Sequence, residues 1–179
     1  MQNIDDYSEV SADESSVKNY FLAFSRISLG WIFLWAFLDK MFGLGYTTSP
    51  EAAWLNGGNP IYGYLTYGTS GPFAESFSGL ADSTFFQWLF MIGLLGIGLS
   101  LILGIGLKVA AYTGALLLML MYISALPMVS EGSHNPLVDD HVVYAFLLLY
   151  LGYTNEDHKL SLGNAWSKLE IVKKYPILR

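Results

Sequence analysis

The sequence predicts an all-α integral membrane protein, a four-helix bundle with a long aromatic-rich outer loop between its first two helices. The composition is the first reason, because 53% of the 179 residues are hydrophobic and only 13% are charged. A soluble domain carries about 25% charged residues. The second reason is that the apolar residues fall into four separate runs, and a run of about 20 residues can cross the hydrocarbon core of a bilayer.

Residues 1–19 precede these runs and form an acidic head. Such segments bury little apolar surface, so the sequence predicts that the head is flexible. It lacks the basic start of a cleavable signal peptide, and the first apolar run is therefore expected to remain in the membrane. The acidic side chains of the head are Asp5, Asp6, Glu9, Asp13 and Glu14.

The first three apolar runs have the length of membrane spans. The first, 20–38, contains Arg26 as its only charged residue, and the second, 85–106, contains no ionisable side chain. The third, 109–126, ends before Pro127, which cannot continue a helix. Because only a short turn separates the second and third runs, we expect these two helices to form an antiparallel hairpin.

The fourth run, 137–155, is the most informative part of the sequence because it is too short. Its uninterrupted apolar part, 142–153, has 12 residues, about 18 Å of helix, whereas the hydrocarbon core is about 30 Å thick. If this segment spans the membrane, Asp139, Asp140 and His141 are drawn below the membrane surface.

The basic residues predict the orientation. The side that holds both termini and the connection between the second and third helices carries seven of them, and the opposite side carries only Lys40. The positive-inside rule then places both termini, including a basic tail at 156–179, in the cytoplasm, with the bundle in the plasma membrane. The seven residues are Lys18, Lys108, Lys159, Lys168, Lys173, Lys174 and Arg179.

The outer loop, 39–84, is rich in aromatic residues and is divided by Gly and Pro turns. Long connections in compact domains are usually functional or disordered. The aromatic content favours an ordered cap in the membrane interface, where aromatic rings are enriched.

Small residues recur at four-residue spacing on the second helix, at Gly96, Ser100 and Gly104. Small residues allow membrane helices to approach closely. The stripe predicts either packing inside the bundle or the face of a homo-oligomer.

Ionisable residues in membrane helices are candidates for function. Asp139 is expected to be the N-cap of the fourth helix. Asp140 and His141 are then the predicted catalytic residues, and Tyr144 lies four residues after Asp140, on the same helix face.

Tyr144 and three further residues are predicted to bind a cofactor. Asp39 and Lys40 end the first helix at the depth of Asp140 and His141, so that Lys40 is expected either to pair with Asp140 or to extend to the interface. Arg26 lies near the inner interface. It is expected either to reach lipid phosphates or to find a partner on the fourth helix, such as Tyr150 or Tyr153.

Several kinds of site are excluded. The chain has no cysteine, which excludes iron–sulfur clusters, covalent haem and thiol chemistry. One embedded histidine cannot supply a bis-histidine haem, and no basic surface for nucleic acid is present. A metal site is not predicted, because the spacing of the polar residues around the fourth helix matches no metal motif. Those residues are Glu131, His134, Asp139, Asp140 and His141.

Across residues 20–166 the chain resembles the DoxX/DoxD family of small four-helix membrane proteins, which includes a subunit of archaeal thiosulfate:quinone oxidoreductase. The resemblance implies a membrane step of sulfur or respiratory metabolism that passes electrons to a quinone, together with a second small subunit. The matching passages are 25–31 leading to 39–40, then 71–73, 98–106 and 135–141.

On this resemblance, His141, Asp140 and Tyr144 would hydrogen-bond the quinone and move its protons, since histidine titrates near neutral pH. Two other kinds of function stay open. The same polar groups could form the pocket of a transporter or of a lipid- or solute-binding protein. Alternatively, they could only hold the outer cap of a structural subunit.

Overall fold

The computed structural model describes residues 4–130, 135–154 and 159–178, and its regular secondary structure there is helical, with no strand in those ranges. Short 3₁₀ turns add Pro50–Ala52, Trp54–Asn56 and Pro176–Leu178. The α-helices, in chain order, are α1 (Ile4–Phe42), α2 (Tyr62–Tyr67), α3 (Ala74–Ser78), α4 (Thr84–Leu103), α5 (Leu107–Ala125), α6 (Asp140–Tyr153), α7 (Gly163–Trp166) and α8 (Glu170–Lys174).

Three of the helices are long and apolar enough to cross a membrane. They are the Ser16–Phe42 part of α1, with 27 residues, α4 with 20 and α5 with 19. Many large apolar side chains on their outer faces are exposed, among them Phe21, Ile92 and Leu116, which suits contact with lipid rather than water. The fourth apolar helix, α6, has only 14 residues, in agreement with its short apolar run.

Each of the four apolar helices has bounds that differ from the predicted ones, and the start of α1 and the end of α4 are the two most informative differences. α1 begins at Ile4, so residues 4–19 continue the first span as one helix. α1 also continues to Phe42, past its predicted end at residue 38. α4 ends at Leu103 instead of Gly106, because Gly104 has a φ of 68° and caps the helix in the left-handed conformation. Glycine adopts this conformation without the steric cost of a Cβ.

The four apolar helices pack as two antiparallel pairs, and in each pair the helices approach closely at a glycine. In the pair of α1 with α4, a Cβ on Gly98 would lie 2.8 Å from the backbone nitrogen of Leu34. In the pair of α5 with α6, a Cβ on Gly152 would lie 2.5 Å from the Cβ of Ala111. The apolar core between the pairs consists of Leu29, Phe33, Leu94, Ile97, Leu101, Leu107, Ala115, Leu118, Ala145, Leu148 and Leu151.

The small-residue stripe of α4 does not act as one packing surface. A Cβ on Gly96 would meet no atom within 4 Å, whereas Gly104 lies against Ser161 and the guanidinium of Arg26. The close contact with α1 is made by Gly98, on a different face of α4. Of the predicted stripe, Gly96 is left at the outer surface.

We call the two ends of the apolar helices the Arg26 end and the His141 end, after an ionisable residue that lies at each. The Arg26 end holds the end of α4, the start of α5 and residues 159–178. These are the described residues of the basic tail and are called the tail below. At this end, Leu162 N–H donates to the Leu103 carbonyl at 2.8 Å, and Val172 is fully buried.

The His141 end holds the end of α1, the start of α6 and the connecting segment, residues 43–83. This segment packs by aromatic contacts, with Trp54 against Trp88 of α4 at 4.6 Å between ring centroids. It is also bonded to the end of α5, where Ser70 N–H donates to the Ser124 carbonyl at 2.8 Å.

Candidate functional site

The site is built around the start of α6. Asp139 precedes the helix with extended backbone angles, and its carboxylate accepts a hydrogen bond from Val142 N–H at 3.3 Å. This confirms the predicted N-cap. The cap satisfies one of the backbone N–H groups that have no partner within the first turn.

The second carboxylate oxygen of Asp139 orients the imidazole of His141. The distance from Asp139 Oδ2 to His141 Nδ1 is 2.8 Å, and both side chains are about three-quarters buried, with 26% and 24% exposure. When the imidazole is neutral, this bond places its proton on Nδ1 and leaves Nε2 as the acceptor. Nε2 makes no hydrogen bond to any residue that the structure describes.

Asp140 lies outside this pair. Its side chain is 68% exposed, and its Oδ1 lies 3.6 Å from His141 Nδ1, beyond hydrogen-bond distance. The sequence prediction gave the catalytic role beside His141 to Asp140, whereas the geometry places Asp139 as the bonded carboxylate. A single residue can therefore cap the helix and hold the histidine.

The chain approaches α6 through a braced turn. The side-chain oxygen of Asn135 accepts bonds from Leu137 N–H at 2.9 Å and Val138 N–H at 3.1 Å. Tyr122 of α5 then donates its hydroxyl to the Leu137 carbonyl at 2.7 Å. These bonds fix the backbone that presents Asp139 and His141.

Tyr64 brings the connecting segment to the same place. Its hydroxyl lies 2.8 Å from Ser124 Oγ and 3.2 Å from the Met121 carbonyl, at the end of α5. Burial raises the pKa of Tyr64, the Ser124 bond opposes this, and the nearby charge of Asp139 raises the pKa further. The connecting segment is therefore close enough to Asp139 for the two to interact electrostatically.

Lys40 and Asp39 lie at this end but do not join the cluster. The carboxylate of Asp39 is buried and accepts three hydrogen bonds, from Tyr46 N–H, Thr47 N–H and the Thr47 hydroxyl at 2.7–3.2 Å. The expected pair of Lys40 with Asp140 is not formed, since no ion pair in the described parts of the chain includes Lys40. Asp39 thus closes the turn after α1.

Tyr144 packs against the apolar core and is half-buried. Its hydroxyl makes no hydrogen bond with another described residue. Its shared face with Asp140 does not bring the two into one polar cluster, because Asp140 points out to the surface.

Arg26 lies at the opposite end and is completely buried. One terminal nitrogen donates to the carbonyls of Leu101 and Ile102, in the last turn of α4. The other donates to the carbonyls of Lys159 at 3.2 Å and Leu160 at 2.9 Å. Neither expected role is seen: the guanidinium does not reach outward to lipid, and Tyr153 bonds to Tyr112 instead.

A metal ion would find three candidate ligands beside one another. One ligand atom each from Asp139, Asp140 and His141 lies within 4.8 Å of the others. Two of these atoms, on Asp139 and His141, already bond to each other. Glu131 and His134, also considered from the sequence, lie outside the described residues.

Sequence reasoning missed three members of this end: Tyr64, Tyr122 and Ser124. Each bonds to a residue far away in the chain, and no local pattern marks such a contact. Their residue types gave only a weak indication of these contacts, since buried Tyr and Ser hydroxyls need hydrogen-bond partners.

Comparison with known proteins adds no relative, since no family model, no curated protein and no solved structure matches the chain. The resemblance to the DoxX/DoxD family accordingly stays a prediction.

Proposed function

We propose that the chain is a four-span membrane protein of the DoxX type, in which α6 is the short fourth span. Both termini lie in the cytoplasm and the His141 end faces outward across the plasma membrane. There the protein binds the head group of a quinone, as the membrane subunit of a quinone-linked oxidoreductase. The observation that carries this proposal is the 2.8 Å bond between Asp139 and His141 at one end of the apolar helices.

The chemistry of that pair suits a quinone carbonyl. Quinone reduction requires a group that hydrogen-bonds the carbonyl and then supplies a proton. His141 has one ring nitrogen bonded to a carboxylate, and its other nitrogen has no bond to a described residue. The Asp139 carboxylate fixes the orientation of the ring.

The electrons come from elsewhere. The chain has no cysteine for an iron–sulfur cluster, and a partner subunit is therefore proposed as the source. If thiosulfate is the donor, this dianion requires cations. Among the described residues, the proposed outer face offers only Lys40 and protonated His141, so that the partner contributes to the donor site as well.

A structural subunit is the second candidate, and one observation favours it. The polar groups of Asp39 are used in bonds to the chain itself, and both terminal nitrogens of Arg26 are bound to backbone carbonyls. On that view, the Asp139–His141 pair only stabilises the start of α6. The third candidate, a transporter or a lipid- or solute-binding protein, would use the same outer cluster.

Quinone binding by the purified protein tests the proposal. We expect quinone to co-purify with the wild-type protein, and His141→Ala to weaken the binding of decyl-ubiquinone about tenfold or more, as for a lost charge-assisted hydrogen bond. Asp139→Asn keeps an N-cap residue and tests the carboxylate alone. Glu75→Gln, at an exposed acid of the connecting segment, is the control and should bind as the wild type does.

Three other outcomes decide against the proposal. Wild-type binding by His141→Ala removes the site. A purified protein without quinone that is stable and binds none supports the structural subunit. A co-purified lipid or polar solute that His141→Ala releases supports the third candidate.

A further inference from the structure

The tail, residues 159–178, combines two properties that rarely occur together on a surface exposed to water. It is folded, since Val172 is fully buried and Trp166 Nε1 donates to the Leu178 carbonyl. Yet six of its large apolar side chains remain between 46% and 58% exposed. They are Leu160, Leu162, Leu169, Ile171, Tyr175 and Ile177.

The tail is also basic. Residues 159–178 contain four lysines and one acidic residue, Glu170, for a formal charge of +3, and the whole segment 156–179 has five basic and three acidic residues, for a formal charge of +2. All four lysines are exposed, and among the residues that the structure describes Lys173 alone forms an ion pair, 2.7 Å from Glu170. The other three are Lys159, Lys168 and Lys174.

The hydrogen bonds of Arg26 show where the tail begins relative to the long helices. Its guanidinium joins the carbonyls of Lys159 and Leu160 to the last turn of α4. The tail therefore begins where the apolar α4 ends. A second bond at this level joins Leu162 N–H to the Leu103 carbonyl at 2.8 Å.

The apolar surface does not stop at that level. α1 continues past Arg26 toward its N-terminus, and Phe24 and Phe21 on that stretch are 58% and 69% exposed. The exposed apolar side chains of this stretch of α1 and of the tail thus lie at the same end of the molecule, the Arg26 end. Water would surround both surfaces unless the lipid interface extends to them.

We propose that the tail lies on the membrane surface at the Arg26 end and binds anionic phospholipids. Its exposed apolar side chains enter the boundary between head groups and acyl chains, and its lysines extend to the lipid phosphates. An anionic leaflet attracts each nearby lysine by about fivefold in affinity. An acidic protein would match the charge but would leave the apolar side chains of α1 uncovered.

This proposal is independent of quinone binding and concerns the other end of the molecule. The test reconstitutes the full-length protein into nanodiscs of phosphatidylcholine alone and of phosphatidylcholine mixed with phosphatidylglycerol. Hydrogen exchange of the tail amides reports where the tail lies. Native mass spectrometry of protein released from the mixed nanodiscs reports which lipid it retains.

The variants separate charge from fold. K168Q/K173Q/K174Q removes three exposed lysines, and K168R/K173R/K174R keeps their charge as the matched control. We expect phosphatidylglycerol to slow exchange in the wild-type tail and to be retained in preference to phosphatidylcholine. The glutamine triple should lose this preference, by on the order of 100-fold in relative affinity at low salt, and the arginine triple should keep it.

Exchange of the core amides of α4 and α5 verifies that each variant is folded. The proposal is overturned if the tail exchanges equally fast in both nanodiscs, or if the glutamine triple retains phosphatidylglycerol as the wild type does. Fast exchange in both nanodiscs that is slowed by an added acidic protein would assign the surface to a protein partner instead.

Discussion

The Arg26 end and the His141 end each hold an ionisable group among apolar helices, but they use it in different ways. Arg26 is fully buried, and both of its terminal nitrogens are bound to backbone carbonyls. His141 is 24% exposed and has a ring nitrogen with no bond to a described residue. The two terminal nitrogens of Arg26 are thus used to hold the chain together, whereas His141 keeps a partly exposed ring nitrogen that a ligand could reach.

The carbonyls that Arg26 binds explain how this cation can be fully buried. The last carbonyls of a helix have no partner within the helix, and those of Leu101 and Ile102 lie at the end of α4. Arg26 satisfies them and simultaneously ties down the segment that follows α6. Its Nε is the one buried side-chain nitrogen or oxygen without a partner among the described residues.

The largest expected effect follows from removing this arginine. Arg26→Gln leaves one buried and several part-buried carbonyls without their donor, and we expect it to lower the free energy of unfolding by about 3 kcal/mol or more. Trypsin should then cleave the tail at Lys168 much faster than in the wild type. Lys168→Gln removes a cation from the same end at an exposed position and should leave the thermal unfolding midpoint unchanged. Wild-type stability of Arg26→Gln would show that the carbonyls are satisfied without it.

The next effect concerns the helix crossing midway between the two ends. Gly98→Ala places a Cβ 2.8 Å from the backbone nitrogen of Leu34, and we expect it to cost about 1–3 kcal/mol by overpacking. Gly96→Ala is the matched control, since its Cβ would meet no atom within 4 Å. Thermal unfolding in the same detergent compares the two. If Gly96→Ala is the more damaging variant, the face with Gly96 is covered by a partner, as a homo-oligomer would require.

The long apolar helices could be predicted from the sequence because hydrophobic runs are a local property. All three helices of membrane length were predicted, and α5 ends before Pro127 as expected. The extension of α1 to Ile4 was not predicted. The acidic composition of residues 4–19 indicates solvent exposure, and it does not by itself determine whether the backbone is helical.

The candidate site was only partly predictable from the sequence, because only contacts between residues close in the chain leave a local pattern. The cap at Asp139 follows from its position just before α6, and its bond to His141 spans two residues. In contrast, the partners of Arg26 lie 75 to 134 residues away in the chain. They are backbone carbonyls, which every residue carries, so no residue type identifies them in the sequence.

A smaller effect tests which carboxylate matters at the His141 end. Asp139→Ala removes the N-cap of α6, and we expect a loss of about 1 kcal/mol in stability. Asp140→Ala is the control, because Asp140 is mostly exposed and contributes only about 0.5 kcal/mol through the helix dipole. Chemical denaturation in detergent measures both. If the two variants lost equal stability, Asp140 would stabilise the start of α6 as well as Asp139 does. The bonds of Asp139 would then not be what fixes the position of His141.

The smallest effect at neutral pH concerns Tyr64, which joins the connecting segment to α5. Burial raises the pKa of Tyr64 above its ordinary value of 10.0, as does the charge of Asp139. A raised pKa means that the folded state favours the neutral phenol. The stability from this preference is fully present below pH 10.0 and is lost as the pH rises through the folded-state pKa. We therefore expect the wild-type unfolding midpoint to fall more steeply above about pH 10 than that of Tyr64→Phe, which cannot ionise.

The difference between the wild-type and Tyr64→Phe curves isolates the contribution of this one hydroxyl. Tyr64→Phe also loses the bond to Ser124, which lowers stability by a similar amount at every pH below the titration. The two curves should thus be offset at neutral pH and converge in alkali. Parallel curves would mean that the Tyr64 hydroxyl reaches water when it ionises. The connecting segment would then not cover the His141 end as closely as the hydrogen bonds indicate.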